Sequence, residues 1–352
     1  MKKLLIVLIL AVFLTTDSIA CVTFVLKNDK SLVFGWNYEF DAGSGFLITN
    51  KSGLLKTSFV QQNEKPITWI SEYGSITFNQ WGKEFPSGGI NEKGLVVVQT
   101  MYLKTKYPDP DTRPSISELQ WIQFQLDNFS TVQEVIDSDK KLRITNNSIP
   151  LHYMICDKTG EAAVIEFING KMICHYGNDL SFPVLGNDSY EDSLIELRKY
   201  KGFGGSLEIP ANSTGPKSGN FVIAADNVMK YNDRDDIFKY SFRTLSLSSE
   251  PKRTQWTVVF DLINLEIHFR SLENKDIKKI ALNDFNFSCN TVPEMLDISD
   301  GNPENFLDYQ YAVDVDYLDR AYNNPAIAWI KEAVPETVND DKKSYIRTIK
   351  CK

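Results

Sequence analysis

Histidine and cysteine are scarce in this chain, and that scarcity closes several routes to function. The 352 residues carry three histidines, His152, His175 and His268, and five cysteines, Cys21, Cys156, Cys174, Cys289 and Cys351. No two cysteines form a CxxC pair, and the histidines are scattered through strand-like segments, so no metal site is expected and no cofactor is implied. The same scatter argues against a Cys–His dyad, because each histidine reads as sitting on the face or edge of a sheet. Beyond Cys21, four cysteines are too few for the disulfide framework of a small stapled domain. One bridge, Cys289 to Cys351, stays open.

Positive charge is also in deficit. Lys and Arg number 38 against 46 Asp and Glu, a net charge of −8, and no basic stripe interrupts the balance. Nucleic acid and anionic membrane surfaces are therefore poor partners. A membrane-spanning run is absent as well: the apolar stretch Leu4 to Leu14 has eleven residues, well short of the roughly 20 that cross a bilayer. There is no internal repeat and no low-complexity block. What is abundant is core material, 42% hydrophobic and 12% aromatic residues, enough for a sizeable globular core.

The first twenty residues read as a segment to be removed. Met1-Lys2-Lys3 is a basic start, Leu4 to Leu14 is the apolar run, and Ser18-Ile19-Ala20 supplies the small residues a signal peptidase reads. Residues 1–20 are thus expected to be a signal peptide and residues 21–352 one domain, exported in bacterial fashion to the periplasm or the medium. No integral membrane span is expected after processing. Cleavage after Ala20 makes Cys21 the N-terminus. An α-amino group of pKa about 7.7–8.0 then sits beside a thiol of about 8.5, and one residue holds both nucleophile and base. Lipidation of Cys21 is the competing outcome, but Ser18 stands where lipoproteins usually carry a Leu-like residue.

Strand signals follow directly. Val22 to Leu26 and Leu32 to Asn37 flank a polar turn, and Asn91-Glu92-Lys93-Gly94 leads into the valine-rich run Leu95 to Val98. Ser115 with Glu118, and Thr131 with Glu134, are capping-box signatures for two helices. Leu151 to Cys156, Ala162 to Phe167 and Lys171 to Tyr176, the last pair joined by Asn169-Gly170, read as a three-strand meander. A helix over Leu194 and Leu197, a long loop over residues 202–220, a helix over Phe221 to Met229 and a hairpin over Trp256 to Phe269 come next. The stretch from Asp297 is acidic and turn-rich before a last apolar patch, Ala326 to Val334. Antiparallel sheets with helices in separate blocks imply an α+β layered fold.

These residues resemble the choloylglycine hydrolase family, which includes conjugated bile-salt hydrolases and penicillin V acylases and belongs to the N-terminal-nucleophile hydrolases. The resemblance spans roughly residues 21–282. It rests on Cys21, on Gly35-Trp36-Asn37-Tyr38-Glu39, on Asn91 to Leu95, on Val184-Leu185-Gly186-Asn187 and on Thr254 to Asp261. It implies a four-layer αββα sandwich and a hydrolase of linear amide C–N bonds acting on a small-molecule N-acyl amide. Cys21 would be the nucleophile, Glu39 would stand for the aspartate that holds the α-amine, and Asn187 with the backbone N–H of Met101 would bind the oxyanion. Trp36 and Asn220 stand where many members carry arginine, which should raise the thiol pKa relative to those enzymes.

Trp36, Tyr38 and Asn220 are the candidate substrate contacts. Simpler roles stand beside these: Asn187 as a helix cap, Glu39 as a solvated carboxylate, Trp36 and Tyr38 as core, Asn220 as a turn-shaping loop residue. A second reading of the whole is a lipid-anchored or secreted binding module with turnover lost. A third, a purely structural surface protein, predicts no pocket beside Cys21. Self-association remains open.

Overall fold

The computed structural model describes residues 21–43, 45–61, 63–146, 148–212, 219–334 and 336–352. The signal-peptide expectation for residues 1–20 lies outside them, as does part of the loop expected over 202–220.

Two antiparallel sheets face each other. The smaller runs in the order β14 (Val184–Leu185), β1 (Val22–Lys27), β2 (Leu32–Glu39), β15 (Thr254–Asp261), β16 (Glu266–Ser271) and β17 (Lys278–Ala281). The larger runs β13 (Lys171–Tyr176), β12 (Ala162–Ile168), β11 (Leu151–Cys156), β8 (Val96–Met101), β7 (Gly88–Asn91), β6 (Ser75–Asn79), β3 (Phe46–Asn50), β18 (Glu294–Asp297) and β19 (Leu307–Asp308). Two small sheets flank them, β20 (Lys350–Cys351) with β4 (Leu54–Thr57) and β5 (Thr68–Ile70), and β9 (Ser115–Ile116) with β10 (Arg143–Ile144).

Strand alternation decides which side chains meet between the sheets. On β2, Phe34, Trp36 and Tyr38 point inward, where Trp36 meets Phe78 of the opposite sheet edge-on at 5.8 Å and Tyr38 stacks on Trp256 at 4.3 Å. Their neighbour Asn37 points outward and donates from Nδ2 to the carbonyl of Leu245, 2.7 Å away. Leu245 belongs to α5 (Ile237–Leu247), which with α4 (Gly219–Lys230) covers the smaller sheet. The outer face of the larger sheet is covered at β7 and β8 by α1 (Glu118–Asn128), which is followed by the short α2 (Val132–Asp137). The result is the αββα layering expected of an N-terminal-nucleophile hydrolase.

Several local expectations are met by side-chain chemistry. Thr131 and Glu134 close a full capping box on α2. Asn169 (φ 53°) and Gly170 (φ 77°) make the left-handed turn that an Asn-Gly pair allows. Asn91 accepts from the N–H groups of Lys93 and Leu95 through Oδ1 and donates from Nδ2 to the carbonyls of Leu126 and Phe129, so one side chain ties the β7–β8 turn to the end of α1.

Three expectations are corrected. Ser115 does not cap α1: its N–H donates to the Lys65 carbonyl and it lies in β9, so the strand takes the residue and Ser117 occupies the cap position without a side-chain bond. Asn220 is not in a loop but in the first turn of α4. The acidic stretch after Asp297 forms α6 (Tyr311–Tyr322), α7 (Ile330–Ala333) and α8 (Glu336–Ile346) before β20 returns to β4. Cys351 closes a disulfide with Cys289 there. Through Tyr345, α8 receives a hydrogen bond from Gln120 of α1 at 2.6 Å.

Candidate active site

Cys21 stands one residue before the Val22–Asn37 pair that starts the β1–β2 ladder, so strand register places it. From α4, Asn220 Nδ2 donates to the Cys21 carbonyl at 2.7 Å and holds its main chain from the other side. The sulfur lies against the backbone of Glu39, whose N–H points to Sγ at 3.4 Å. Burial, and after it the nearby Glu39 carboxylate, push the thiol up to about 12. A thiol in that state is a poor nucleophile.

Glu39 turns its carboxyl to the helical side of the sheet. Oε1 accepts from the N–H of Glu250 at 2.7 Å and from the Thr254 hydroxyl at 2.8 Å. Oε2 is buried and has no hydrogen-bond partner among the described residues. Burial raises this carboxyl to about 8, with the two donated bonds and Arg253 pulling the other way. Glu39 is therefore no solvated surface acid.

Cys21 opens onto a cavity. Tyr38, Phe40, Trp81 and Trp329 form its aromatic walls, Leu119, Ile149, Leu151 and Ile330 its aliphatic ones, and Gln99 and Met101 join them from β8. The aromatic side is tied together, with Phe40 edge-on to Trp81 at 6.0 Å and to Trp329 at 6.3 Å. Trp329 and Ile330 come from the C-terminal segment, which sequence reading treated only as an apolar patch.

Strand alternation also orients Met101. Tyr102 donates its N–H to Pro150 on the β11 side, and Gln99 donates its N–H to Ser87 on the other. Met101 shares the orientation of Gln99, and β7 has already ended there. On that side the Met101 carbonyl accepts from Asn187 Nδ2 at 2.8 Å. Asn187 does not cap α3 (Tyr190–Leu197); Ser189 does, accepting from the N–H of Asp192. Thus Cys21, Tyr38, Glu39 and Met101 share the cavity, with Asn187 attached to it through Met101. Trp36 is not on its wall but lies fully buried beneath, among Tyr38, Phe78 and Trp256.

Two histidines that looked scattered converge behind Asn187. Buried Glu166 contacts His152 Nδ1 through Oε1 at 3.2 Å and His175 Nε2 through Oε2 at 3.3 Å, and accepts from the N–H of Tyr190. His152 Nε2 lies 3.0 Å from the carbonyl of Gly186, which also accepts from the Thr100 hydroxyl. A carbonyl only accepts, so His152 Nε2 carries a proton. The two histidines outweigh burial and hold the Glu166 carboxyl at about 2. The signal was available in the Asn169-Gly170 hairpin, whose register pairs Val164 with His175 and so sets His175 diagonal to Glu166.

A family model described as linear amide C–N hydrolases, choloylglycine hydrolase family, matches residues 21–215, starting at Cys21 itself. The chain belongs to the choloylglycine hydrolase family. Within it, similar proteins include a penicillin V acylase of Pectobacterium atrosepticum, 26% identical over 266 residues covering 63% of this chain and 69% of that one. Another is a bile salt hydrolase/transferase of Clostridium perfringens, 24% identical over 324 residues covering 77% and 95%. Among solved structures, penicillin V acylase from Agrobacterium tumefaciens superposes with a TM-score of 0.69 at 22% identity, covering 82% of this chain and 98% of that one. A mutant conjugated bile acid hydrolase from Clostridium perfringens gives 0.61 at 21%, covering 83% and 97%. The chain is thus a linear amide C–N hydrolase with the fold of these enzymes. Trp36 is a core tryptophan, and Asn220 is a buried clamp on the Cys21 backbone. Among the described residues no cluster of His, Cys, Asp and Glu is arranged to hold a metal ion, and no helix is long and apolar enough to cross a membrane.

Proposed function

We propose that this protein is an exported, periplasmic or secreted cysteine amidohydrolase that cleaves an N-acyl amide through an acyl-enzyme on Cys21, after residues 1–20 are removed. The observation that carries this reading is the pairing of a buried thiol with a buried carboxylate oxygen, Glu39 Oε2, that lacks a partner among the described residues. An α-ammonium freed at Cys21 is a cation of the right kind for that oxygen. Its charge would lower both the Glu39 carboxyl and the thiol, which stand at about 8 and about 12 without it. Maturation would then switch the nucleophile on.

In the proposed cycle the α-amine takes the thiol proton as Sγ attacks the amide carbonyl. Charge building on the carbonyl oxygen is met by the free N–H of Asn187 Nδ2 and by the Met101 N–H. The α-ammonium returns its proton to the departing amine, leaving a thioester, and a water activated by the same amine releases the carboxylic acid. Support for export comes from the basic start, the apolar run and the small residues before Cys21, and from the Cys289–Cys351 bridge, a bond that persists in oxidising compartments.

Processed protein beginning at Cys21, confirmed by intact mass, should hydrolyse members of an N-acyl amide panel and show an acyl adduct on Cys21. Cys21→Ala should abolish turnover, and Asn187→Ala should lower kcat by about 10²–10³. Full turnover by either variant would defeat the mechanism. The binding-module reading draws on the family arginines replaced by Trp36 and Asn220, and an acyl adduct would dismiss it. A purely structural role predicted no pocket at Cys21, and the cavity there contradicts it.

A further inference from the structure

In the cavity at Cys21, Trp329 is 38% exposed and marks the side open to solvent, whereas Gln99, Leu119 and Leu151, like Cys21 and Tyr38, are buried. A leaving amine departs on the Trp329 side, so the acyl part of a substrate lies against the buried residues. Their side chains include one carboxamide. Gln99 Oε1 is buried and has no hydrogen-bond partner among the described residues. The polar group of its neighbour Tyr38 is already committed, the hydroxyl donating to Gln80 Oε1 at 2.5 Å.

A buried acceptor left without a donor is costly, and a pocket built around such an atom discriminates strongly against ligands that cannot satisfy it. Resting on the amidohydrolase reading above, we propose that Gln99 is the specificity-determining residue of the acyl pocket. Its Oε1 accepts a hydrogen bond from a hydroxyl or N–H on the acyl group, so the preferred substrates are N-acyl amides whose acyl part carries such a donor. Plain hydrocarbon acyl groups of equal size leave Oε1 unpaired and are handled less well.

The test uses processed enzyme with a free Cys21 and amides of one amine. Their phenylacetyl groups carry, at ring position 3 or 4, either a hydroxyl or a methyl of nearly equal size; a fluoro series supplies a substituent that cannot donate. Wild type should favour the hydroxyl compound at one position by about 10-fold or more in kcat/KM over methyl and fluoro, and Gln99→Leu should bring that ratio to about 1. Product inhibition of wild type by the matching carboxylic acids reads the same preference without a variant, should Gln99→Leu fail to fold. Hydrolysis with no hydroxyl preference at either position, or with a preference that survives Gln99→Leu, overturns the role of Gln99 alone. Absence of hydrolysis across the panel, with no acyl adduct on Cys21, overturns the amidohydrolase reading and this proposal together.

Discussion

Glu166 holds two histidines on one buried carboxylate and receives the first N–H of α3 as well, so it joins β11, β12, β13 and the Gly186-Asn187 segment at a single point. Because its carboxyl stands at about 2, below the ordinary value of about 4.3, its contribution to stability is present above about pH 4.5 and is lost as pH falls toward 2. Glu166→Gln should therefore lower the urea midpoint most above pH 5, with the gap to wild type closing as pH approaches 2; a gap constant from pH 2 to 6 would contradict this. Since His152 reaches the Gly186 carbonyl, the same variant should lower kcat by about 10-fold while KM moves little, measured by steady-state kinetics on processed enzyme.

At the scale of elements, the β7–β8 turn and the C-terminal helices do different jobs. The side chain of Asn91 spends its hydrogen-bonding capacity on four main-chain groups, while its own N–H donates to Leu95 and its carbonyl accepts from Gly94. Asn91→Ala should cost about 2–4 kcal/mol by leaving buried carbonyls and N–H groups unmade, read as a lower urea midpoint at unchanged slope. The C-terminal segment instead finishes the cavity. Trp329→Ala removes one aromatic wall, so kcat/KM for a phenylacetyl amide should fall by about 10-fold relative to a short aliphatic acetyl amide. An unchanged ratio would place the acyl group elsewhere.

Across the whole molecule, long-range ties bind the termini of the fold to its centre. The Cys289–Cys351 bridge spans 62 residues, and closing a loop of that length restricts the unfolded chain by about 4 kcal/mol in the entropic account. Cys289→Ser/Cys351→Ser should lower the thermal midpoint accordingly, followed by calorimetry. A buried charge cluster makes a second tie: Lys56 Nζ lies 2.7 Å from Glu84 and 2.9 Å from Asp127, which also accepts from Trp69 Nε1, while Lys83 pairs with Glu84 at 2.6 Å. Glu84 keeps a φ of 76° there, a left-handed conformation unusual for a glutamate, with both lysines on its carboxyl.

Some of this was legible from residues alone, because it depends on neighbours along the chain. The hairpins, the Thr131–Glu134 cap, the turn at Asn169-Gly170 and the family motifs around Cys21 are local patterns, and period and turn chemistry declare them. Tertiary structure decided what lies between distant segments. It turned Trp36 inward, placed Asn220 on the Cys21 carbonyl, brought His152 to Glu166, and folded the acidic tail over the cavity. None of these can be read from spacing, since each depends on the register and packing of elements far apart in sequence, and a one-residue slip in a strand would send every side chain to the opposite face.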